Sequence, residues 1–326
     1  MRTVSEFFWR GMSTVLPVFD VLLSPFTFLA ALWFYIIRTT SIRRAPLSRK
    51  IFLGIGVFPI RNHYYEPLFN AKEIRKSWEN RYLPGIDLNI HEQLSLLSQF
   101  NYAEELKQIP TKKNGSLRYY YNNPSFFAGD AEYLYSIIRL KKPKKIIEVG
   151  SGNSTLMALE AIKKNKDDDN NYKCKVECIE PYEMPWLEKT AVDVIRKKVQ
   201  EVPHSFFCEL EENDILFIDS SHIIRPDGDV LFEYLEVLPL LKPGVLVHMH
   251  DIFTPNDYPL DNYEKDIVFI NEQYLVEAFL TLNKSFRIIS ALNYLKNNYF
   301  SELSEKCPMI AQTNSLEPRS MWLVKA

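Results

Sequence analysis

The hydrophobic and polar positions divide the chain into three stretches of different texture. From residue 7 to residue 37 nearly every position is apolar, and 21–37, VLLSPFTFLAALWFYII, carries no charge. From 51 to 127 apolar, aromatic and polar residues are mixed, with Leu94, Leu97 and Phe100 at helical spacing inside 91–106. Beyond 128, short β-branched runs alternate with longer amphipathic ones. The short runs predict strands at 145–149, 175–179, 193–199, 214–218, 245–248, 285–291 and 320–324. Helices are predicted at 130–140, 154–164, 229–241 and 271–282. Such alternation specifies an α/β fold with a doubly wound, mostly parallel seven-stranded sheet. The last strand arrives without a long helix before it and is expected to insert antiparallel.

The expected organisation is an apolar helical membrane segment at 1–50, a cap or substrate region at 51–127 and a nucleotide domain at 128–326. The uncharged run 21–37 is near the lower length limit for crossing a bilayer. It is long and aromatic and has no small-residue cleavage site, unlike a signal peptide. Pro17 and Pro25 are expected to break or kink the helix. Both flanks are basic, which places both ends in the cytoplasm. A helix–proline–helix hairpin dipping into one leaflet fits that better than a span. Ser24-Pro25 resembles the Ser-Pro break of the re-entrant helix in monotopic phosphoglycosyl transferases. Membrane lipid is thus an expected partner, at the cytoplasmic face. The bland alternative is a hydrophobic helix pair buried in the protein or in a homo-oligomer.

Charge sharpens this picture. The formal net charge of −2 over 326 residues gives no sign of a nucleic-acid partner. Yet the first 50 residues hold Arg2, Arg10, Arg38, Arg43, Arg44, Arg49 and Lys50 against only Glu6 and Asp20. A basic, apolar N-terminus ahead of an acidic body suits a membrane surface. Cys174, Cys178, Cys208 and Cys307 lack zinc-type spacing and read as reduced core thiols.

The chemistry centres on residues 145–155, KIIEVGSGNST. An apolar run with an embedded acid, Glu148, stops at Gly150-Ser151-Gly152. Asn153, Ser154 and Thr155 then open a helix, with Ser154 or Asn153 as its cap. Glycines permit a tight turn and close approach of a ligand, and the helix N-terminus faces the same spot. A dinucleotide fold would want a third glycine where Thr155 stands. Glu148-x-Gly150-x-Gly152, Glu180 after the second strand, and the Lys242-Pro243-Gly244 turn resemble class I S-adenosylmethionine-dependent methyltransferases, a Rossmann-like fold. The resemblance implies S-adenosyl-L-methionine as cofactor, bound by Glu148, Gly150, Gly152, Asn153, Ser154, Glu180 and Asp219. In that family the glycine loop lies against the amino-acid and ribose part, and the second-strand acid takes the ribose hydroxyls. Glu180 lies further from Gly152 than the usual spacing, and the polar loop 163–173 absorbs the difference.

Asp219, His250 and Asp251 end the fourth and fifth strands and should converge on one sheet edge. They are expected to form a divalent metal site. Asp219-Ser220-Ser221-His222 resembles the Asp-Gly-Ser-His of metal-dependent sugar O-methyltransferases, where the histidine is the proposed base. That implies Asp219 and His222 as catalytic residues. His250 stands where those enzymes carry an acid, so Mn, Fe or Zn is favoured over Mg. His248 shares a strand face with His250 and reads as its supporting partner or as a packed core residue. Arg61, His63, Tyr64, Tyr65 and Glu66 are candidate acceptor contacts, or packing residues. The loop 255–263 reads as a lid or saccharide contact, and Asn271, Glu272 and Gln273 either face the pocket or cap a helix.

The function expected is a metal-assisted O-methyltransferase acting on a hydroxyl of a glycan or lipid-linked saccharide. Methylation of a small-molecule N- or aromatic O-acceptor is the alternative within enzymes. A non-catalytic membrane-tethered binding module is the alternative outside them.

Overall fold

A computed structural model describes residues 2–61, 66–69, 81–113, 115, 117–182, 184–264, 268–312 and 317–326, with side chains from Val15 onward. The chain divides into two compact units, Met1–Arg75 and Lys76–Ala326. His63, Tyr64 and Tyr65 lie outside the described residues.

The N-terminal unit holds α1 (Arg2–Thr40) and α2 (Pro46–Ile55), joined by a tight turn at Ile42–Arg44. The expected break at Pro25 does not occur, and α1 runs unbroken through both prolines. Pro25 offers no N–H to the Val21 carbonyl, four residues back, and the Ser24 hydroxyl donates to that carbonyl instead at 2.9 Å. Thr27 does the same for Leu23 at 3.2 Å. Residues Val15–Thr40 are long and apolar enough to cross a membrane, and their apolar side chains are largely exposed. Glu66 receives Arg38 and Arg61, each at 2.8 Å. Arg61 and Glu66 thus form an ion cluster within this unit.

The C-terminal unit is built on one seven-stranded sheet in the order β3-β2-β1-β4-β5-β7-β6. It begins with α3 (Ile90–Ser98), α4 (Ala103–Lys107) and α5 (Asp130–Lys141). There follow β1 (Lys145–Val149), α6 (Asn153–Asp168), β2 (Lys175–Ile179), β3 (Asp193–Ile195), α7 (His204–Phe207) and β4 (Ile215–Ile218). After these come α8 (Asp229–Phe232), β5 (Leu246–Met249), α9 (Leu260–Glu264), α10 (Glu272–Leu280) and β6 (Phe286–Ala291). The chain ends with α11 (Leu292–Asn298), α12 (Phe300–Lys306) and β7 (Met321–Lys325). Strands β1 to β5 pair in parallel, while β7 inserts antiparallel between β5 and β6 as expected.

Period-two alternation sends successive β1 residues into different layers. Ile147 and Val149 join one buried cluster with Leu216, Ile218 and Val247. Ile146 joins the other, beneath α5 and α6 with Met157 and Ala161. Two departures from the expected elements have local causes. The helix expected at 229–241 stays α-helical only to Phe232, then widens over Glu233–Val237 and tightens over Leu238–Leu240, where Pro239 cannot donate. The strand expected at 193–199 ends at Ile195, because Val199–Glu201 turns into a short 3-10 segment.

Candidate active site

Glu148 lies on the same side of β1 as Ile146, so its carboxylate is buried under α6 rather than aimed outward. It accepts the Ser154 hydroxyl at 2.7 Å, the Thr155 hydroxyl at 2.5 Å and the Cys178 thiol at 3.4 Å. Burial pushes its pKa up to about 7, against those hydrogen bonds. Thr155 also accepts the Gly152 N–H at 3.0 Å, which ties the turn to the helix it opens. Glu148 therefore braces the glycine turn from below. Asn153 reaches the Ser125 hydroxyl at 2.8 Å.

Gly150 has φ 74°, and a Cβ there would stand 1.9 Å from the Asp219 carbonyl oxygen. Both facts require glycine. The ends of β1, β2 and β4 are sewn together at this point: Gly150 N–H donates to Ile179 and Asp219 N–H donates to Val149, at 3.1 and 2.9 Å. Gly152 is extended, and a Cβ there would meet only the Met184 methyl at 3.8 Å. The two Glu180 oxygens accept the N–H groups of Ser151 and Tyr182, at 3.3 and 3.0 Å. Beyond these strand ends opens a cleft of about 280 Å³ lined by Gly150, Glu180, Tyr182, Asp219, Ser221 and Arg225, among others.

The loop after β4 is held from two sides. Ser221 donates its N–H and hydroxyl to Asp229 at 2.9 and 2.6 Å, and Ser220 donates to Glu233 at 2.9 Å. His222 sits at φ 59°, with its carbonyl accepting the N–H groups of Asn271 and Glu272. Its Nδ1 is 2.7 Å from Glu272 Oε2. Its Nε2 is 3.2 Å from Asp219 Oδ1 and 3.5 Å from Asp251 Oδ2. Tyr234 donates to the other Glu272 oxygen at 2.7 Å. Burial alone would lower the His222 pKa, but the bonds to Asp219 and Glu272 outweigh it and hold it well above 6.5. Asp251, at φ 55°, receives Arg319 at 3.0 Å. Burial opposes its charge, but His250, His222 and Arg319 around it keep its pKa low.

Residues 147–252 match a family model described as a methyltransferase domain. An uncharacterised protein of Archaeoglobus fulgidus is 35% identical over 173 residues, 49% of this chain and 76% of that protein. The chain carries the methyltransferase domain of the class I S-adenosylmethionine-dependent enzymes. Two solved structures overlap it more loosely. One is an O-methyltransferase from Bacillus cereus in complex with SAH, 11% identical, covering 72% of this chain and 91% of that one at a TM-score of 0.36. The other is the O-methyltransferase TomG from Streptomyces achromogenes, involved in tomaymycin synthesis and in complex with SAM, 12% identical, covering 71% and 90% at 0.36. At these scores neither adds to the assignment.

In this methyltransferase the expected cofactor residues separate into two groups. Gly150, Glu180 and Asp219 line the cleft. Glu148, Gly152, Asn153 and Ser154 shape the turn behind it through the contacts above.

The expected metal site is not assembled. The His222 ring lies between Asp219 and Asp251, and Arg319 takes an Asp251 oxygen. His250 follows the strand alternation to the other side, 5.3 Å from the Phe126 ring and 5.6 Å from the His248 ring. His248 is fully buried, stacked on Phe217 and bonded to the Ser320 hydroxyl at 2.8 Å, a core residue. Burial, with His250 nearby, holds its pKa well below 6.5. Among the described residues no group of three or more His, Cys, Asp or Glu is placed to hold a metal ion. The residues present do not fit one.

What they do form is a row, Tyr234–Glu272–His222–Asp219, that ends at the cleft beyond β1, β2 and β4. Below its raised pKa the ring is an imidazolium that donates from both nitrogens, to Glu272 and to Asp219. When it loses a proton, the carboxylate on Nδ1 keeps the proton there and frees the Nε2 lone pair on the cleft side. Glu272 was one of three residues expected either to face the pocket or to cap a helix, and it is the one that meets His222. Arg319 was missed in the sequence, because it precedes the last strand with no motif around it.

Proposed function

We propose that the protein is an O-methyltransferase, acting at the cytoplasmic face of a membrane on a hydroxyl of a glycan or lipid-linked saccharide. The observation that carries the chemistry is the His222 ring, pinned by Glu272 at Nδ1 with Nε2 beside the Asp219 that lines the cleft. S-adenosylmethionine supplies an electrophilic methyl group. Glu180 lines the cleft, and its carboxylate suits the vicinal hydroxyls of a ribose. His222 Nε2 takes the proton of the acceptor hydroxyl as the oxygen attacks the methyl carbon and the carbon–sulfur electron pair returns to sulfur. Glu272 then stabilises the imidazolium that results. Asp219 orients the ring and lies where the acceptor oxygen must come, so positioning contributes to the rate.

Support for the location comes from the exposed apolar helix Val15–Thr40, with Arg43, Arg44, Arg49 and Lys50 after it. Positive charge at the end of an unbroken apolar helix favours the cytoplasmic side for the chain beyond it. The test compares cell-surface and lipid-linked glycans, with and without the gene, by mass spectrometry. One methyl group is expected to vanish from a glycan and to return with the wild-type gene. Unchanged glycans, or full restoration by His222→Ala, would refute the proposal.

A further inference from the structure

A second cleft, of about 510 Å³, lies in the half of the sheet that the cofactor residues do not use. Strands β5 and β6 both run antiparallel to β7, hence parallel to each other. Their carboxyl ends therefore share the edge on which the cofactor cleft opens. The cleft is built there from the loop after β5, from α11, which follows β6 directly, and from the segment entering β7. Its walls carry Asn256, Asp257, Asn293, Asn297, Asn298 and Glu317, and Phe253 and Tyr258 add buried rings.

Two features of this lining select a ligand. The first is charge balance. Asp257 is paired with Arg81 at 3.2 Å and also receives Tyr274 at 3.1 Å. Glu317 is paired with Lys296 and receives Asn293 at 3.2 Å. An ionic ligand would therefore have to displace an existing partner. The second is a set of preset amides. Asn256 donates to Asn293 Oδ1 at 2.8 Å, Asn297 to the Asn293 carbonyl at 3.0 Å and Asn298 to the Tyr294 carbonyl at 2.9 Å. These bonds hold each amide in one orientation on the cleft wall, and a wall of fixed amides complements neighbouring hydroxyl groups.

We infer that this cleft binds a neutral saccharide, the acceptor glycan of the reaction. The inference rests on the proposed function for the role of acceptor, while the binding itself does not require methyl transfer. The loop that lines the cleft starts at Asp251, beside His222, and Gln273 holds Asn256 at 2.8 Å while its neighbour Glu272 holds His222. A glycan seated here is thereby tied to the proton-accepting row.

The experiment uses the full chain in detergent micelles with S-adenosylhomocysteine. Saturation-transfer NMR screens di- and trisaccharides of glucose, galactose, mannose, rhamnose and N-acetylglucosamine. At least one is expected to bind, and Asn297→Ala and Asn298→Ala are each expected to weaken it about tenfold, leaving S-adenosylhomocysteine affinity unchanged. The same glycan on a polyprenyl carrier in vesicles distinguishes sources. A stronger response marks a membrane-borne acceptor and an equal one a free glycan, and both support the inference. Binding by no saccharide, or binding indifferent to both substitutions, overturns it. A saccharide that binds through these residues but is never methylated refutes the function and leaves the cleft standing.

Discussion

Replacing Glu272 with Gln tests the row of residues that runs through His222 to Asp219. The 2.7 Å contact between Glu272 Oε2 and His222 Nδ1 is a buried, charge-assisted hydrogen bond. Such bonds contribute about 1.5–3 kcal/mol, against about 1 for a neutral one. A glutamine keeps the shape and can still accept from Nδ1, but removes the charge. The imidazolium then loses about 0.5–2 kcal/mol, a ~2- to 30-fold fall in proton affinity. The assay is a pH titration of isotope-labelled histidine rings by NMR on the full chain, with His222 assigned through His222→Gln. In the wild type His222 should titrate above 6.5, and in Glu272→Gln it should move down. The same linkage appears in stability. Because the folded pKa is raised, the contribution of His222 is complete below the pKa of the unfolded ring. It disappears as pH rises through the folded value. Melting temperature should fall across that window in the wild type and fall less in the variant. Methyl transfer needs the neutral ring, so its rate should rise with pH through the same raised value. A His222 titration unmoved by the substitution would refute the reasoning.

Gly150→Ala should give protein that is insoluble or unable to bind S-adenosylmethionine, whereas Gly152→Ala should bind it nearly as the wild type does. Calorimetric titration of the donor checks both, and a Gly150→Ala protein that binds and melts normally would contradict the 1.9 Å approach to Asp219. Strong chelators should leave turnover unchanged, because His222 and Arg319 already occupy the carboxylates a metal would need. Loss of activity that returns only with added Mn, Fe, Zn or Mg would reverse that conclusion. Deleting residues 1–57 removes α1 and α2 and should release the protein from membranes. Co-sedimentation of the truncated form with vesicles would count against the membrane role.

Much of the sheet was legible because buried parallel strands need β-branched runs, and such runs were present: KIIEV, KVECI and ILFI. The glycine turn and Glu180 were legible for a related reason, since a turn at positive φ and an acid at a strand end leave local marks. Helices α11 and α12 were not. Leu292, Leu295 and Leu303 supply buried positions, but Asn297, Asn298 and Tyr299 between them interrupt the apolar spacing, and no element was predicted there. The resemblance to class I methyltransferases put Glu148 in the cofactor site. Alternation from Ile146 puts it instead beneath α6, where hydroxyls rather than ligand surround it.

The row around His222 shows a deeper reason why residue types alone mislead. Two carboxylates at the ends of neighbouring strands, Asp219 and Asp251, require positive charge between or beside them. A divalent ion is one solution and was the one expected. Here the positive charge comes from His222 and Arg319, brought in from a loop and from the segment entering β7. Each solution leaves the same letters at the strand ends. What separates them is backbone conformation. His222 and Asp251 both adopt left-handed φ, which costs a non-glycine residue roughly 1–3 kcal/mol. The amides of Asn271 and Glu272 hold the first, and Arg319 holds the second. Those turns carry His222 into the space between the acids, while His250 stays with the strand and is buried against Phe126. The chemistry of the site is thus decided by which histidine leaves the strand direction, and the partners that decide it lie on α10 and just before β7, far from the motif.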